Sequence, residues 1–119
     1  MCRKCTKYIS PNKSVERIVN GEYHCETKPA VIEYYINGNI KAESWWYNGK
    51  LHREDDLPTC IEYDRCGGII FQNWIKHDVY YRECGPARVW YDINGNVQKQ
   101  IYYNEGVKYE PITKSTLKT

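Results

Sequence analysis

Three stretches of this chain repeat one another at an interval of 28 or 29 residues, and that interval constrains the fold more than any other feature of the sequence. Setting Pro29 against Pro58 and Pro86 aligns the segments "AVIEYY", "TCIEYD" and "ARVWYD", with Tyr34, Tyr63 and Tyr91 in register. Gly38, Gly67 and Gly95 follow four residues after those tyrosines, and Ile40, Ile69 and Val97 two residues after the glycines. An aromatic slot closes each unit at Trp45, Trp74 and Tyr102, ahead of a second turn written "NGK" at 48–50, "HDV" at 77–79 and "NEG" at 104–106. Upstream, "SVERIVNGEYHCE" repeats the pattern of "ESWWYNGKLHRE", so Val15 to Val19 reads as one more strand, from a degenerate half-unit.

Apolar spacing of period two, punctuated by Asn-Gly, predicts β-hairpins and not helices. Both residues of Asn-Gly accept the positive φ of a type I′ turn. "HD" at His77 and Asp78 loses the glycine but keeps residue types tolerated there. In the first strand of each unit, Ala30, Ile32 and Tyr34 share a face with the equivalent sets Thr59, Ile61, Tyr63 and Ala87, Val89, Tyr91, and that face is expected to be buried. The opposite positions are mixed: Val31, Glu33 and Tyr35; Cys60, Glu62 and Asp64; Arg88, Trp90 and Asp92. They suit a solvated or partner-facing side. The second strand starts at Ile40, Ile69 or Val97 and reaches the ring slot five residues on, nominally on the other face, so either a bulge intervenes or both faces carry rings. Near the end of the chain Pro111 interrupts the ladder, leaving a short strand at Tyr109 at most and a frayed tail.

On these glycine-punctuated hairpins, clearest in "YYINGNIKAESWWYNGK", the chain resembles MORN (membrane occupation and recognition nexus) repeat proteins. The longer unit, with "LHRE", a proline and an apolar strand between hairpin turns, is similar to the variant met in large double-stranded DNA viruses and some bacteria. The likeness spans about residues 15–110, which is read as the repeat domain, between an N-terminal segment 1–14 expected to be disordered or metal-binding and a flexible C-terminal tail 111–119. It implies an all-β fold, an elongated twisted antiparallel sheet of consecutive hairpins with about three repeats and a half-unit. It also implies a protein-interaction or scaffolding role, with no catalytic motif to carry over.

Composition narrows the partners. Seventeen Lys and Arg against fifteen Asp and Glu leave a formal charge of +2, too balanced to imply nucleic acid or an anionic membrane by electrostatics alone. A nucleic-acid reading would use tyrosine stacking, but no basic stripe is interleaved with the rings. Twelve Tyr and four Trp against one Phe suit a thin, half-buried β-surface more than a deep apolar core. No run approaches the ~20 apolar residues of a membrane span, and "MCRKCTKY" lacks a secretory apolar region. The expectation is a soluble, intracellular, cytoplasmic chain, in host cytoplasm or virion if viral. A homodimer or other protein partner is expected, because exposed sheet edges and an aromatic surface invite association. Candidate partner-binding rings are Trp45, Trp46, Tyr47, Trp74, Trp90 and Tyr102. Lys41 and Lys50 beside the first three make membrane lipid the second reading.

The cluster His52, Arg53, Glu54, Asp55 and Asp56 has the look of a reaction centre. Catalysis, however, needs one asymmetric set of groups with protonation states held apart, whereas Arg53-Glu54 recurs as Arg82-Glu83, with Cys25-Glu26 in the half-unit. Ladder ion pairs or turn contacts explain it better. His52 aligns with His24, Tyr81 and Tyr109, a ring position, and Asp55-Asp56 ahead of Leu57-Pro58 is a turn-forming arrangement. No catalytic residue is expected. The six cysteines break the period, and an intracellular chain keeps them reduced. The nearest approach to a zinc site is Cys2 and Cys5 with His24 and Cys25. A second Cys-x-x-Cys or His-x3-His is missing, so neither metal nor cofactor is expected.

Overall fold

The computed structural model describes residues 6–9 and 13–111, and these contain fourteen β-strands and no helix. The strands are β1 (Thr6–Ile9), β2 (Val15–Val19), β3 (Glu22–Tyr23), β4 (Val31–Tyr34), β5 (Ile40–Ser44), β6 (Trp46–Tyr47) and β7 (Lys50–Leu51). They continue as β8 (Cys60–Tyr63), β9 (Ile69–Asn73), β10 (Ile75–Lys76), β11 (Val79–Tyr80), β12 (Arg88–Tyr91), β13 (Val97–Asn104) and β14 (Val107–Tyr109). Pairing is antiparallel throughout, in the order β1-β2-β4-β5-β8-β9-β12-β13-β14, with β3 also on β2. The molecule measures 57 × 34 × 19 Å with a radius of gyration of 16.3 Å, against about 13.5 Å for a compact domain of this length. It is an elongated ribbon.

Each unit supplies two hairpins. The long one pairs β4 with β5, β8 with β9, or β12 with β13, and the short one pairs β6 with β7, β10 with β11, or the end of β13 with β14. All three long hairpins carry a register shift, between Glu33 and Tyr34, Glu62 and Tyr63, and Trp90 and Tyr91. The shift settles where the ring slot lies. Tyr34 faces Ile40 but Glu33 faces Ala42, so the second strand gains one residue, and Trp45 regains the face of Ile32 and Ala30. In the second unit this buries Trp74 against Ala87 and Val89 of the third, and Tyr80, Tyr91 and Tyr103 pack against them.

The face expected to be buried is buried: Ala30, Thr59 and Ala87 are fully enclosed, and Val15, Ile32, Ile61 and Val89 lie under 10 % exposed. Thr59 has a second task. Its hydroxyl donates to the Ile75 carbonyl and accepts from the Ile75 N–H, at 2.7 and 2.8 Å, where the chain leaves β9 for β10. The half-unit forms β2 over the residues expected, Val15–Val19, and β1 pairs outside it from Thr6↔Ile18 to Ile9↔Val15, a strand the repeat pattern did not announce.

The two turns of a unit differ, although in the first unit both are spelled Asn-Gly. At the second turn both residues have positive φ: Asn20 and Gly21, Asn48 and Gly49, His77 and Asp78, Glu105 and Gly106. This is the type I′ pattern, and "HD" keeps it. At the first turn only Gly38, Gly67 and Gly95 have positive φ. The Gly38 N–H donates to the Tyr35 carbonyl and the Tyr35 N–H to the Asn39 carbonyl, which is the three-residue loop ending in a left-handed glycine. The type I′ expectation is corrected there: the loop is one residue longer, so glycine alone takes the left-handed position. In units two and three Asp64 and Asp92 hold this loop, each Oδ1 accepting two backbone N–H groups at 2.9–3.0 Å.

Candidate interaction surface

The acidic cluster works between units. His52 Nδ1 accepts the His77 backbone N–H at 3.2 Å, its Nε2 meets Glu54 Oε1 at 2.5 Å, and its ring stacks on His77 at a centroid distance of 4.1 Å. His24 repeats this one unit earlier, accepting the Asn48 N–H at 2.9 Å beside Tyr47, with Glu26 Oε1 at 3.4 Å from its Nε2. Because Nδ1 accepts a backbone N–H, Nε2 carries the proton. Neither nitrogen of His52 is then free to act as a base. The hydrogen bond from His52 holds the Glu54 carboxyl below the usual carboxylate range. Asp56 accepts the Glu83 and Cys84 N–H groups, and Asp78 accepts the Leu51 N–H at 2.7 Å. Each of these carboxylates ties one unit to its neighbour.

The recurring Arg-Glu is a set of turn contacts and not an Arg–Glu ion pair. Arg53 and Arg82 lie over the Trp45 and Trp74 rings at 3.7 Å, and each Nη1 donates to the carbonyl of the proline that opens the next strand, Pro58 or Pro86. In the half-unit the two positions trade places. Arg17 stands in the ring slot, Cys25 in the arginine slot, and Arg17 Nη1 still reaches the Pro29 carbonyl at 2.8 Å.

One face of the sheet is roofed by its own rings. Tyr63 and Tyr91 lie there, and their hydroxyls donate to Glu43 and Gln72 at 2.6 Å. Burial, with the Glu43 bond behind it, pushes Tyr63 up to about 12. The other face is open, and register assigns its residues. One cross-strand row runs Glu16, Val31, Ser44, Cys60, Asn73, Arg88, Ile101, and a second runs Glu33, Ala42, Glu62, Phe71, Trp90, Lys99. A groove of about 310 Å³ follows this face, lined by Val31, Ala42, Ser44, Cys60, Phe71 and Asn73, among others. Short-hairpin rings stand at its margin: Tyr23 donates to Glu16, Trp46 to Ser44, and Arg88 lies 4.9 Å from the Tyr80 ring. Arg88 also lies over Phe71 and Trp90, with Lys99 on the Trp90 ring.

The six rings proposed for partner binding divide among three environments. Trp90 lies on the open face and Trp46 at its margin, while Tyr47 sits on the ridge of stacked rings between His24 and His52. Trp45, Trp74 and Tyr102 fill the ring slots. Trp74 is corrected to a core residue: at 5 % exposure, under Arg82 and with its Nε1 donating to the Asp56 carbonyl, it has no ring surface to offer. Of the residues that give the open face its charge, Glu33, Glu62 and Arg88 were placed on the solvated or partner-facing side from sequence, and Lys99 was not singled out. Their period-two positions were visible, but cross-strand register was needed to put them side by side.

Of the residues nearest to a zinc set, Cys2 and Cys5 lie outside the described residues. His24 spends Nδ1 on a backbone N–H, and the Cys25 thiol lies 4.0 Å from the Thr27 hydroxyl. Among the described residues no three His, Cys, Asp or Glu side chains are grouped to hold a metal ion. The Cys60 thiol is pushed up to about 12 by burial and then by Glu62, which disfavours its nucleophilic thiolate. No protein-family model, curated protein or solved structure matches this chain.

Proposed function

We propose that this chain is a non-enzymatic, MORN-like repeat protein that acts as a protein-interaction or scaffolding module and associates with itself. The carrying observation is the second sheet face, where half-buried Val31, Ala42, Arg88 and Trp90 stand among exposed Glu33, Glu62 and Lys99, with Phe71 buried against Trp90 and Arg88. Aromatic rings and arginine inside a polar, charged rim are the composition of protein interfaces. The use of His52, Asp56 and Asp78 in links between units, with Glu54 bonded to His52, also favours a structural over a catalytic role for the acidic cluster. Sedimentation velocity of the full chain up to several hundred micromolar tests self-association: a concentration-dependent dimer is expected, and a monomer throughout removes it. Affinity capture from the native host with mass spectrometry tests for a different protein partner.

A second reading, peripheral phospholipid binding, is favoured by the first-turn tips. Ile36 and Ile93 are 108 % and 91 % exposed there, and Lys41 and Arg65 flank the Tyr35 ring at 6.0 and 5.7 Å. Apolar tips beside cations suit an anionic surface, where each base contributes about 1 kcal/mol. Flotation with phosphatidylserine vesicles, but not with phosphatidylcholine alone, is the expected result; equal failure to float with both removes this reading.

A further inference from the structure

The open face is unevenly charged along the ribbon. Glu33 and Glu62 stand on β4 and β8, and Arg88 and Lys99 on β12 and β13. Glu33 and Lys99 are separated by five steps of the order β4-β5-β8-β9-β12-β13, about 24 Å at the usual strand spacing. Lys41 lines the groove beside Glu33, but screening at physiological salt acts within about 8 Å, so Glu33 and Lys99 of one molecule do not neutralise each other. Both groups are exposed. At the centre of the face the polar atoms Asn73 Oδ1 and Arg88 Nε are buried without a hydrogen-bond partner.

We propose that a second copy of this chain docks on this face, related by a two-fold axis that lies in the plane of the face, parallel to the strands and between β8 and β9. Such an axis reverses strand order and preserves position along each strand. Strand β4 then meets β13 of the other copy, β5 meets β12, and β8 meets β9. Glu33 of each copy faces Lys99 of the other, Val31 faces Ile101, Ala42 faces Trp90, and the Cys60 thiol faces Asn73. Glu62 meets the Phe71 ring with Arg88 stacked on it. Glu33 and Lys99 thereby gain opposite charges, twice over by symmetry, while Arg88 faces Ser44 of the other copy. Two twisted sheets of the same hand pack face to face in this manner about 10 Å apart. Six strands by about five residues make a patch of roughly 29 × 16 Å, at the small end of specific interfaces, so the dimer is micromolar and salt-sensitive.

This pairing rests on the self-association reading, and the test separates the two. Dimerisation of the full chain is measured by sedimentation velocity for the wild type, Glu33→Lys, Lys99→Glu and the double variant, with circular dichroism checking that the sheet is intact. Each single change places like charges opposite each other twice and is expected to weaken the dimer about tenfold or more. The double variant restores opposite charges and is expected to return to within about threefold of the wild type, since contacting partners are not additive. A wild-type dimer that neither single variant weakens overturns this face as the interface while self-association stands. A double variant as weak as the singles overturns the Glu33–Lys99 pairing. A wild type that is monomeric at every concentration removes both.

Discussion

Arg17, Arg53 and Arg82 show what a repeat preserves when its letters change. The arginine moves from the segment that follows the short hairpin to the strand before the second turn, yet its guanidinium reaches the equivalent proline carbonyl in each unit. What the fold requires is a donor for that half-buried carbonyl and a flat partner to lie on the tryptophan where one is present. Trp74→Ala removes a 5 % exposed ring together with its Arg82 stack and is expected to cost about 3–5 kcal/mol in urea unfolding. Trp90→Ala, on the open face, is expected to cost clearly less. Cysteine chemistry divides along the same line. In site-resolved alkylation at pH 8, exposed Cys66 and Cys84 should label first, and Cys60, its thiol pushed up to about 12, only when the protein unfolds.

At the scale of the element, the turns decide register. Gly38 has φ +93 and nothing within 4 Å of the place a Cβ would occupy, so Gly38→Ala isolates the backbone cost. It is expected to lower stability by about 1–2 kcal/mol in denaturant titration, with the hairpin retained. The short hairpins are tied in sequence by the Gly49, Asp78 and Gly106 N–H groups, which donate to Tyr23, Leu51 and Tyr80 carbonyls of the preceding hairpin. His52 strengthens one of these joints. His52→Ala leaves the His77 N–H without its acceptor and should cost about 1–3 kcal/mol. The strands of the repeats and the second-turn type were legible in the spacing of Tyr, Gly and ring residues, and β1, outside the repeats, was not. The break of the second strand at Trp45 and Trp74 was not legible; at Trp74 it is held by Thr59, distant in sequence, whose hydroxyl bridges to Ile75.

For the whole molecule, a 19 Å thin ribbon has no deep interior, and stability is distributed along rows of half-buried rings. Tyrosine ionisation should therefore be felt globally. Tyr63 is raised in the folded state from 10.0 to about 12, so its contribution is complete below pH 10 and is lost as pH climbs through 12. The thermal midpoint is expected to fall across pH 10–12, and Tyr63→Phe, which cannot ionise, should fall less steeply over that window. The open face is also a property of this scale. Glu33 and Lys99 lie 66 residues apart in the chain and become parts of one surface only when five strand steps are laid out in order.

From the sequence alone came the all-β class, the hairpin succession, the identity of the buried strand face and the reading of the acidic cluster as part of a repeat. These follow from short-range rules, since period-two spacing and positive-φ residues act within a few residues of one another. The tertiary structure alone decided that Trp74 is core, that His52 and Asp56 join units, and that opposite charges gather at opposite ends of one face. Those outcomes depend on cross-strand register, which a one-residue slip would invert and which only the assembled ladder of bulges and turns establishes.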